Sequence, residues 1–215
     1  MTVNRRLEIV RRAAEIFARK GVASTSMEDI ATAVGIKREG VYYYFKNRSA
    51  ILLEIIQPQS NALLRNLERI HRSNASPVDK LRSAIGSHLD SYNPNYIEMS
   101  VALREVHFTE EQSKLRKLQN IWDGYEKLWA ELIAEGQARD AFAADLDPKL
   151  VTLAILGMCN WVCRWYRPEG EFSIAQIADT YSTIIVSGLV TGDAALLSPG
   201  SSLGAPATPA PAPVK

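Results

Sequence analysis

The stretch from Thr25 to Tyr44 constrains this chain most, because it carries two short helices with a glycine turn between them. Thr25 and Glu28 have the spacing of a capping box, which satisfies the first free N–H groups of a helix. The apolar residues that follow recur at helical spacing: Met27, Ile30, Ala31 and Val34. Gly35 can adopt the left-handed conformation that ends a helix. A second helix over 37–45 then completes a helix-turn-helix.

The second helix of this motif is basic and aromatic, as expected of an element that reads DNA. Lys37 and Arg38 stand at its start, where side chains reach deepest into the major groove, and the Arg38 fork can pair with guanine. Gly40 permits close approach of the helix to DNA, whereas Tyr44 and Phe45 are predicted core residues. The predicted DNA contacts are Thr25, Ser26, Lys37, Arg38, Glu39, Gly40, Tyr42, Tyr43, Lys46 and Arg48.

Charge is divided unevenly along the chain, although the formal net charge is only +1. Residues 1–48 hold ten Lys or Arg against five Asp or Glu, so this segment is basic. The remainder is mildly acidic. A basic N-terminal head on an acidic body indicates that the head binds a polyanion.

The rest of the sequence reads as helices, and no alternating strand pattern occurs. The fold class is therefore predicted as all-α, with about nine helices. After the two motif helices come predicted helices over 49–70, 77–92, 96–107, 109–136, 147–165 and 174–191, with a first helix over 4–20. Pro58 should kink or restart the helix that contains it. The predicted domains are a DNA-binding head over 1–48, a ligand-binding and dimerisation body over 49–197, and a disordered tail over 198–215.

Several function classes are disfavoured. No run of about 18 apolar residues or secretory signal is present, so we expect a cytoplasmic protein without a membrane span. Cys159 and Cys163 are four residues apart on one predicted helix, which favours buried thiols over a disulfide or zinc site. No catalytic constellation is visible; His71 and His88 are predicted to be solvated. We therefore predict no catalytic residues, metal or cofactor.

The N-terminal residues resemble the DNA-binding domain of the TetR family of transcriptional regulators. The matching positions are Ile9, Ala13, Ala14, Phe17 and Gly21, then 25–31, 34–36 and 41–48. The resemblance implies a homodimer joined by the last two helices of each subunit. Such a dimer places two recognition helices about 34–36 Å or more apart, so the expected partner is double-stranded DNA with a palindromic operator.

The resemblance also implies a ligand cavity in the body. The candidate contacts are Tyr92, Met99, Arg104, Trp122, Tyr125, Trp129, Trp161, Arg164 and Trp165. The segment 160–170, NWVCRWYRPEG, is similar to the end of the eighth helix in a subgroup whose effectors are coenzyme A thioesters of fatty, aromatic or steroid-derived acids. Tryptophan faces suit an acyl chain or adenine, and Arg164 can pair with phosphate. A purely structural alternative is that Trp165 and Tyr166 plug the helix end while Arg167 caps its carbonyls.

Together these features predict a repressor that a small effector releases from its operator. Two alternatives remain open at this point. One is a regulator that activates or needs no ligand, against which an apolar cavity would count. The other is a small α-helical enzyme, which would need a catalytic constellation that the sequence does not display.

Overall fold

The computed structural model describes the backbone of residues 4–91 and 112–190, and the side chains of 4–91 and 118–190. Eight helices and no strand make up this part of the chain, which confirms the all-α prediction. The predicted helix over 96–107 and the predicted disordered tail over 198–215 lie outside the described residues. None of the described helices has the length and apolar content that crossing a bilayer requires.

Three helices form the N-terminal head: α1 (Arg5–Lys20), α2 (Met27–Val34) and α3 (Arg38–Tyr44). Their shared core consists of Ile9, Ala13, Ala14, Phe17, Val22, Ile30, Ala31, Val41 and Phe45. The apolar spacing of α1, read from Leu7 through Val10, Ala14 and Phe17, predicts that Leu7 joins this core, which is wrong, since Leu7 is 61% exposed. The buried face of α1 begins only at Ile9, because beyond its first turn α1 packs on α2 and on the long helix that begins at Arg48.

The capping box of α2 lies one residue later than predicted. Ser26 is the N-cap: its Oγ accepts from the Asp29 N–H at 3.0 Å, and Asp29 Oδ2 accepts from the Ser26 N–H at 2.7 Å. Thr25 is buried, and its hydroxyl donates to the Gly21 carbonyl at 2.8 Å. Thr25 is thus held in the loop before α2, and Ser26, the residue directly before the first helical turn, supplies the oxygen that accepts from the helix.

A long helix, α4 (Arg48–His71), joins the head to the body. Asn47 caps it by accepting from the Ala50 N–H at 2.9 Å. The helix runs through Pro58, an exposed residue, without a break, which excludes a restart; the alternative, a kink, stays a prediction. In the head α4 packs against α1, and in the body it packs against α5 (Pro77–Asp90) and α6 (Gln112–Ala138).

The body is completed by α7 (Pro148–Trp165) and α8 (Ile174–Leu189). Ser76, Asp147 and Ser173 cap α5, α7 and α8 with side-chain oxygens, as their spacing in the sequence indicates. The strongest packing pairs α4 with α6, α5 with α8, and α6 with α7. The interior between them is apolar: Leu81, Ile85, Leu89, Trp129, Ile133, Ile155 and Ile177 are all buried.

One ion pair with a buried lysine and a half-buried glutamate joins the body helices at the end of α4 that lies away from the head. Lys80 is 5% exposed, and its Nζ donates to both Glu135 carboxylate oxygens at 2.9 Å and to the His71 carbonyl at 2.8 Å. The Lys80 hydrogen bond, with a smaller contribution from Arg139, holds the pKa of Glu135 below its usual value. Lys80 thereby ties α5 to α6 and to the last turn of α4.

Candidate DNA-binding and effector sites

Gly35 sets the angle between α2 and α3. Its φ of 72° and ψ of 35° are left-handed, and its N–H donates to the Thr32 carbonyl at 3.2 Å. The next N–H, of Ile36, reaches back to the Ala31 carbonyl at 3.0 Å. These bonds satisfy the free carbonyls at the end of α2 and fix the direction in which α3 leaves.

The two faces of α3 differ sharply. Val41 and the following Phe45 are buried at 0% and 2% exposure, whereas Tyr42 and Tyr43 are 43% and 83% exposed. The polar residues at the start of the helix, Lys37, Arg38 and Glu39, are also exposed. An apolar face anchored in the core and a basic, aromatic face directed outwards form the surface that a recognition helix presents to the major groove.

Arg38 and Tyr42 are already paired on this outer face. The Arg38 Nη2 donates to the Tyr42 hydroxyl at 3.2 Å, and the guanidinium carbon lies 5.4 Å from the centre of the Tyr42 ring. The two residues stand four apart on one helix, so their side chains meet without any distortion of the backbone. The pairing reduces the number of conformations that Arg38 must lose on binding.

Other predicted DNA contacts already have partners within the protein. Arg48 Nη1 lies 3.2, 2.9 and 2.8 Å from the carbonyl oxygens of Val22, Ala23 and Thr25. It therefore fixes the loop that precedes α2. Gly40 lies against the Ile36 side chain, at a distance where an added Cβ would touch it at 3.4 Å. Ser26 and Lys46 are exposed, and DNA contact by any of these residues stays a prediction.

In the body, the predicted effector residues divide into two groups. An inner group of three aromatic side chains lies on α6. Tyr125 makes edge-to-face contacts with Trp122 and with Trp129, each at 6.2 Å between ring centres. Tyr125 and Trp129 are buried, and Trp122 is half-buried. Three further candidates, Tyr92, Met99 and Arg104, lie outside the described residues.

An outer group lies on the exposed face of α7. Trp161 is 63% exposed and Trp165 is 40% exposed. The guanidinium carbon of Arg164 stacks 5.7 Å from the Trp161 ring centre. Tyr166, by contrast, is buried at the helix end, and Arg167 donates to its carbonyl at 2.9 Å. Tyr166 therefore plugs the helix end, as the purely structural alternative predicts, but Trp165 does not. Trp161, Arg164 and Trp165 are all accessible to solvent.

The prediction that His88 is solvated was wrong. His88 is 1% exposed and lies between Tyr125 of α6 and Asn160 of α7. Its Nδ1 is 2.9 Å from the Tyr125 hydroxyl, and its Nε2 is 3.0 Å from Asn160 Oδ1. The sequence contained a signal for this placement, since His88 continues the helical stripe of Leu81 and Ala84 on α5. The position of His88 on the buried stripe of α5 therefore outweighs its polarity.

A separate groove of about 770 Å³ lies between α4 and α5. Its walls are mainly polar and come from Gln59, Asn66, Arg69, Ser83, Ser87 and Asp90. None of the predicted effector residues within the described part of the chain lines it. Elsewhere in the described part of the chain, no three His, Cys, Asp or Glu side chains are grouped as metal ligands would be. Cys159 and Cys163 are not joined by a disulfide, and burial raises the pKa of Cys159 to about 12.

Two protein families match this chain over adjacent segments. Residues 9–55 match the family described as "Bacterial regulatory proteins, tetR family". Residues 74–189, more than half of the chain, match "Tetracyclin repressor-like, C-terminal domain". The chain belongs to the TetR family. The TetR assignment confirms a helix-turn-helix transcriptional regulator and not an enzyme.

Individual TetR relatives are similar over nearly their whole length. The transcriptional repressor KstR2 of Mycolicibacterium smegmatis is 26% identical over 187 residues, which cover 86% of this chain and 91% of that protein. The structure of the ketosteroid regulator KstR2 of Mycobacterium tuberculosis superposes with a TM-score of 0.82 at 23% identity, covering 89% of this chain and 98% of that one. The regulator AibR, bound to isovaleryl coenzyme A and operator DNA, superposes with a TM-score of 0.74 at 23% identity and covers 84% and 97%. These structures establish the TetR fold.

Proposed function

We propose that this chain is a repressor that binds a palindromic operator as a homodimer and dissociates when a coenzyme A thioester binds its body. The exposed cluster of Trp161, Arg164 and Trp165 on α7 is the observation that carries the effector class. In this proposal residues 1–48 form the DNA-binding domain and 49–197 the effector and dimerisation domain.

The dimer interface is proposed on the outer faces of α7 and α8. Leu150, Leu153 and Ile184 are 68%, 46% and 56% exposed, and so many exposed leucine and isoleucine side chains on two successive helices indicate an interaction surface. Gly157 on α7 and Gly188 on α8 have open space where a Cβ would stand, so a second helix can approach closely. Apolar side chains around small residues are what a helix-to-helix interface needs.

The chemistry of the outer cluster fits a coenzyme A thioester. A guanidinium binds phosphate through charge-assisted hydrogen bonds, and an exposed indole face stacks on adenine or packs on an acyl chain. Support also comes from the relatives, since AibR is bound to isovaleryl coenzyme A and KstR2 is a ketosteroid regulator. Leu153, Gly157 and Trp161 follow one another at helical spacing on one face of α7. The effector site therefore adjoins the proposed interface, and binding has to be tested on the dimer.

Release from DNA requires that the effector prefer the form of the dimer that does not fit the operator. A change from 1:99 to 99:1 between the two forms needs about 5.5 kcal/mol of preference. Only contacts that the effector makes in one form and not in the other contribute to this preference.

The decisive experiment measures thermal unfolding and operator binding of the purified dimer with a panel of acyl- and aryl-coenzyme A thioesters. We expect at least one thioester to raise the Tm and to release a fragment of the chain's own promoter. Arg164→Ala should abolish both effects, whereas Arg82→Ala, an exposed arginine on α5, should keep them. The effector proposal fails if no thioester raises the Tm, or if both variants respond alike.

A further inference from the structure

His88 connects three helices through the middle of the body. It belongs to α5, and its two ring nitrogens lie 2.9 Å from the Tyr125 hydroxyl of α6 and 3.0 Å from Asn160 Oδ1 of α7. The His88 ring also stacks on Tyr125 at 5.9 Å between centres. Both ring nitrogens are therefore engaged in a site that is otherwise apolar, where an unpaired polar atom is costly.

The chemistry of the three groups gives the connection a direction. Asn160 Oδ1 only accepts, so His88 Nε2 carries the proton and donates it; Nδ1 then accepts from the Tyr125 hydroxyl. This arrangement requires a neutral ring, and burial lowers the pKa of His88 to about 4. The proton donations run from α6 through α5 to α7.

The hydrogen bond to Asn160 is prominent because α5 and α7 otherwise touch at few places. Asn160 is adjacent to Trp161 and lies one turn before Arg164, so any rotation of the outer cluster moves the Asn160 amide. At the other end of α5, Lys80 lies two turns from His88 on the same face and binds the last turn of α4. The inner face of α5 thus carries two polar anchors, one to α7 and one to the helix that reaches the head.

We propose that His88 is a positioning residue that transmits movement of the Trp161–Arg164 face to α4 through α5. The inference rests on the proposed effector site and adds the route by which occupancy of that site reaches the DNA-binding head. His88 itself touches neither effector nor DNA. Its role is to hold α7 in one rotational setting relative to α5, so that a change in that setting displaces α5 and the end of α4.

The test compares His88→Leu with Ile85→Val in the full-length dimer. Ile85 is equally buried on α5 but lies outside the hydrogen-bonded network. With the thioester that most raises the wild-type Tm, we expect His88→Leu to bind it within about threefold of wild type, while the ratio of operator affinities without and with thioester falls about tenfold or more. Ile85→Val should keep the wild-type ratio. His88→Gln, which retains one donor and one acceptor and guards against misfolding, should restore part of it.

A second readout does not depend on any effector. Hydrogen exchange should be about tenfold faster in His88→Leu than in Ile85→Val at residues 160–165 and 67–71, because both ends of the connection are loosened. If no thioester binds the wild type, the effector proposal fails and this comparison alone decides the role of His88. An unchanged operator ratio in His88→Leu, an equal loss in Ile85→Val, or equal exchange in the two variants would overturn the inference.

Discussion

The neighbours of Arg38 on and after α3 hold its side chain in place on the DNA-facing surface. Val41 and Phe45 fix the helix in the core, and Tyr42 holds the guanidinium from the side at 3.2 Å. A base-reading arginine is most useful when its side chain is ordered before DNA arrives, because less conformational entropy is then lost on binding.

Replacing Arg38 by alanine should weaken operator binding about tenfold or more and relax the preference for one base pair in each half-site. Fluorescence anisotropy with operator and scrambled duplexes at one fixed salt concentration measures both effects. Arg65→Ala, which removes an exposed arginine from α4, is the matched control and should change neither. A uniform loss on operator and scrambled DNA alike would show that Arg38 contacts only phosphate.

Lys80 makes the clearest contribution to stability of any single charge in the body. Lys80→Met should lower the free energy of unfolding by about 1–3 kcal/mol, because the His71 carbonyl and Glu135 each lose a buried donor. Urea unfolding at neutral pH gives this difference. Lys127→Met is the control, since that lysine is 77% exposed in its pair with Glu131 and should change stability little.

The same pair predicts a pH dependence. The pKa of Glu135 is lower in the folded protein than in the unfolded chain. The contribution of Glu135 to the free energy of unfolding is therefore complete above its unfolded-state pKa and is lost as the pH falls through its folded-state pKa. Between about pH 6 and about pH 3, wild-type stability should therefore decline more steeply than that of Lys80→Met. Parallel curves for the two proteins would show that another carboxylate causes the acid sensitivity.

Among the elements, α7 and α8 have outer faces that a lone protomer leaves uncovered. Gly157→Arg should convert the dimer to monomer without unfolding it, because the site is open within the protomer and glycine is a poor helix former. Gly86→Arg on α5 adds the same side chain at another open helical glycine and should remain dimeric. Analytical ultracentrifugation distinguishes the two results. A dimeric Gly157→Arg would move the interface away from this face.

The existence and type of the helices could be predicted from sequence, but several local choices could not. Two overlapping capping boxes are possible at the start of α2, Thr25 with Glu28 and Ser26 with Asp29. Only the structure shows that Thr25 is held in the loop and that Ser26 is the N-cap. The exposure of Leu7 depends on where α1 meets its neighbours, and periodicity alone does not give that point. Continuation through Pro58 likewise depends on the tertiary packing of α4.

At the scale of the whole molecule, operator recognition by the proposed dimer depends on two heads held at a fixed separation. Inserting about 5 bp between the half-sites turns one of them to the opposite side of the duplex, so dimer binding should fall to the level of a single half-site. Electrophoretic mobility shift with spaced operators measures this loss. The Gly157→Arg monomer should be indifferent to spacing, and a spacing-insensitive wild type would contradict the proposed dimer.

The candidate sites differ in how far sequence could predict them. The head is local: a contiguous stretch fixes both its core and its outward face, so the exposed residues of α3 could be assigned from spacing. The body is built from distant helices whose rotations are set by packing. In the sequence Trp129 and Trp161 are equally good candidates for effector contact, yet Trp129 is completely buried and Trp161 is 63% exposed. His88 is the exception, since its place on the buried stripe of α5 is visible in the sequence.

The length of α4 has a mechanical consequence. Its 24 residues extend about 36 Å at the usual helical rise, from the head to the Lys80 anchor. If α4 tilts by about 5° about the Lys80 anchor, its head end moves by about 3 Å, which is as long as a hydrogen bond. Such a tilt needs no unfolding and no change in α3 itself. In the proposed symmetric dimer the two heads move in opposite directions, so the change in the distance between them is doubled. A small tilt of each α4 helix is therefore sufficient to move the two heads out of register with the half-sites.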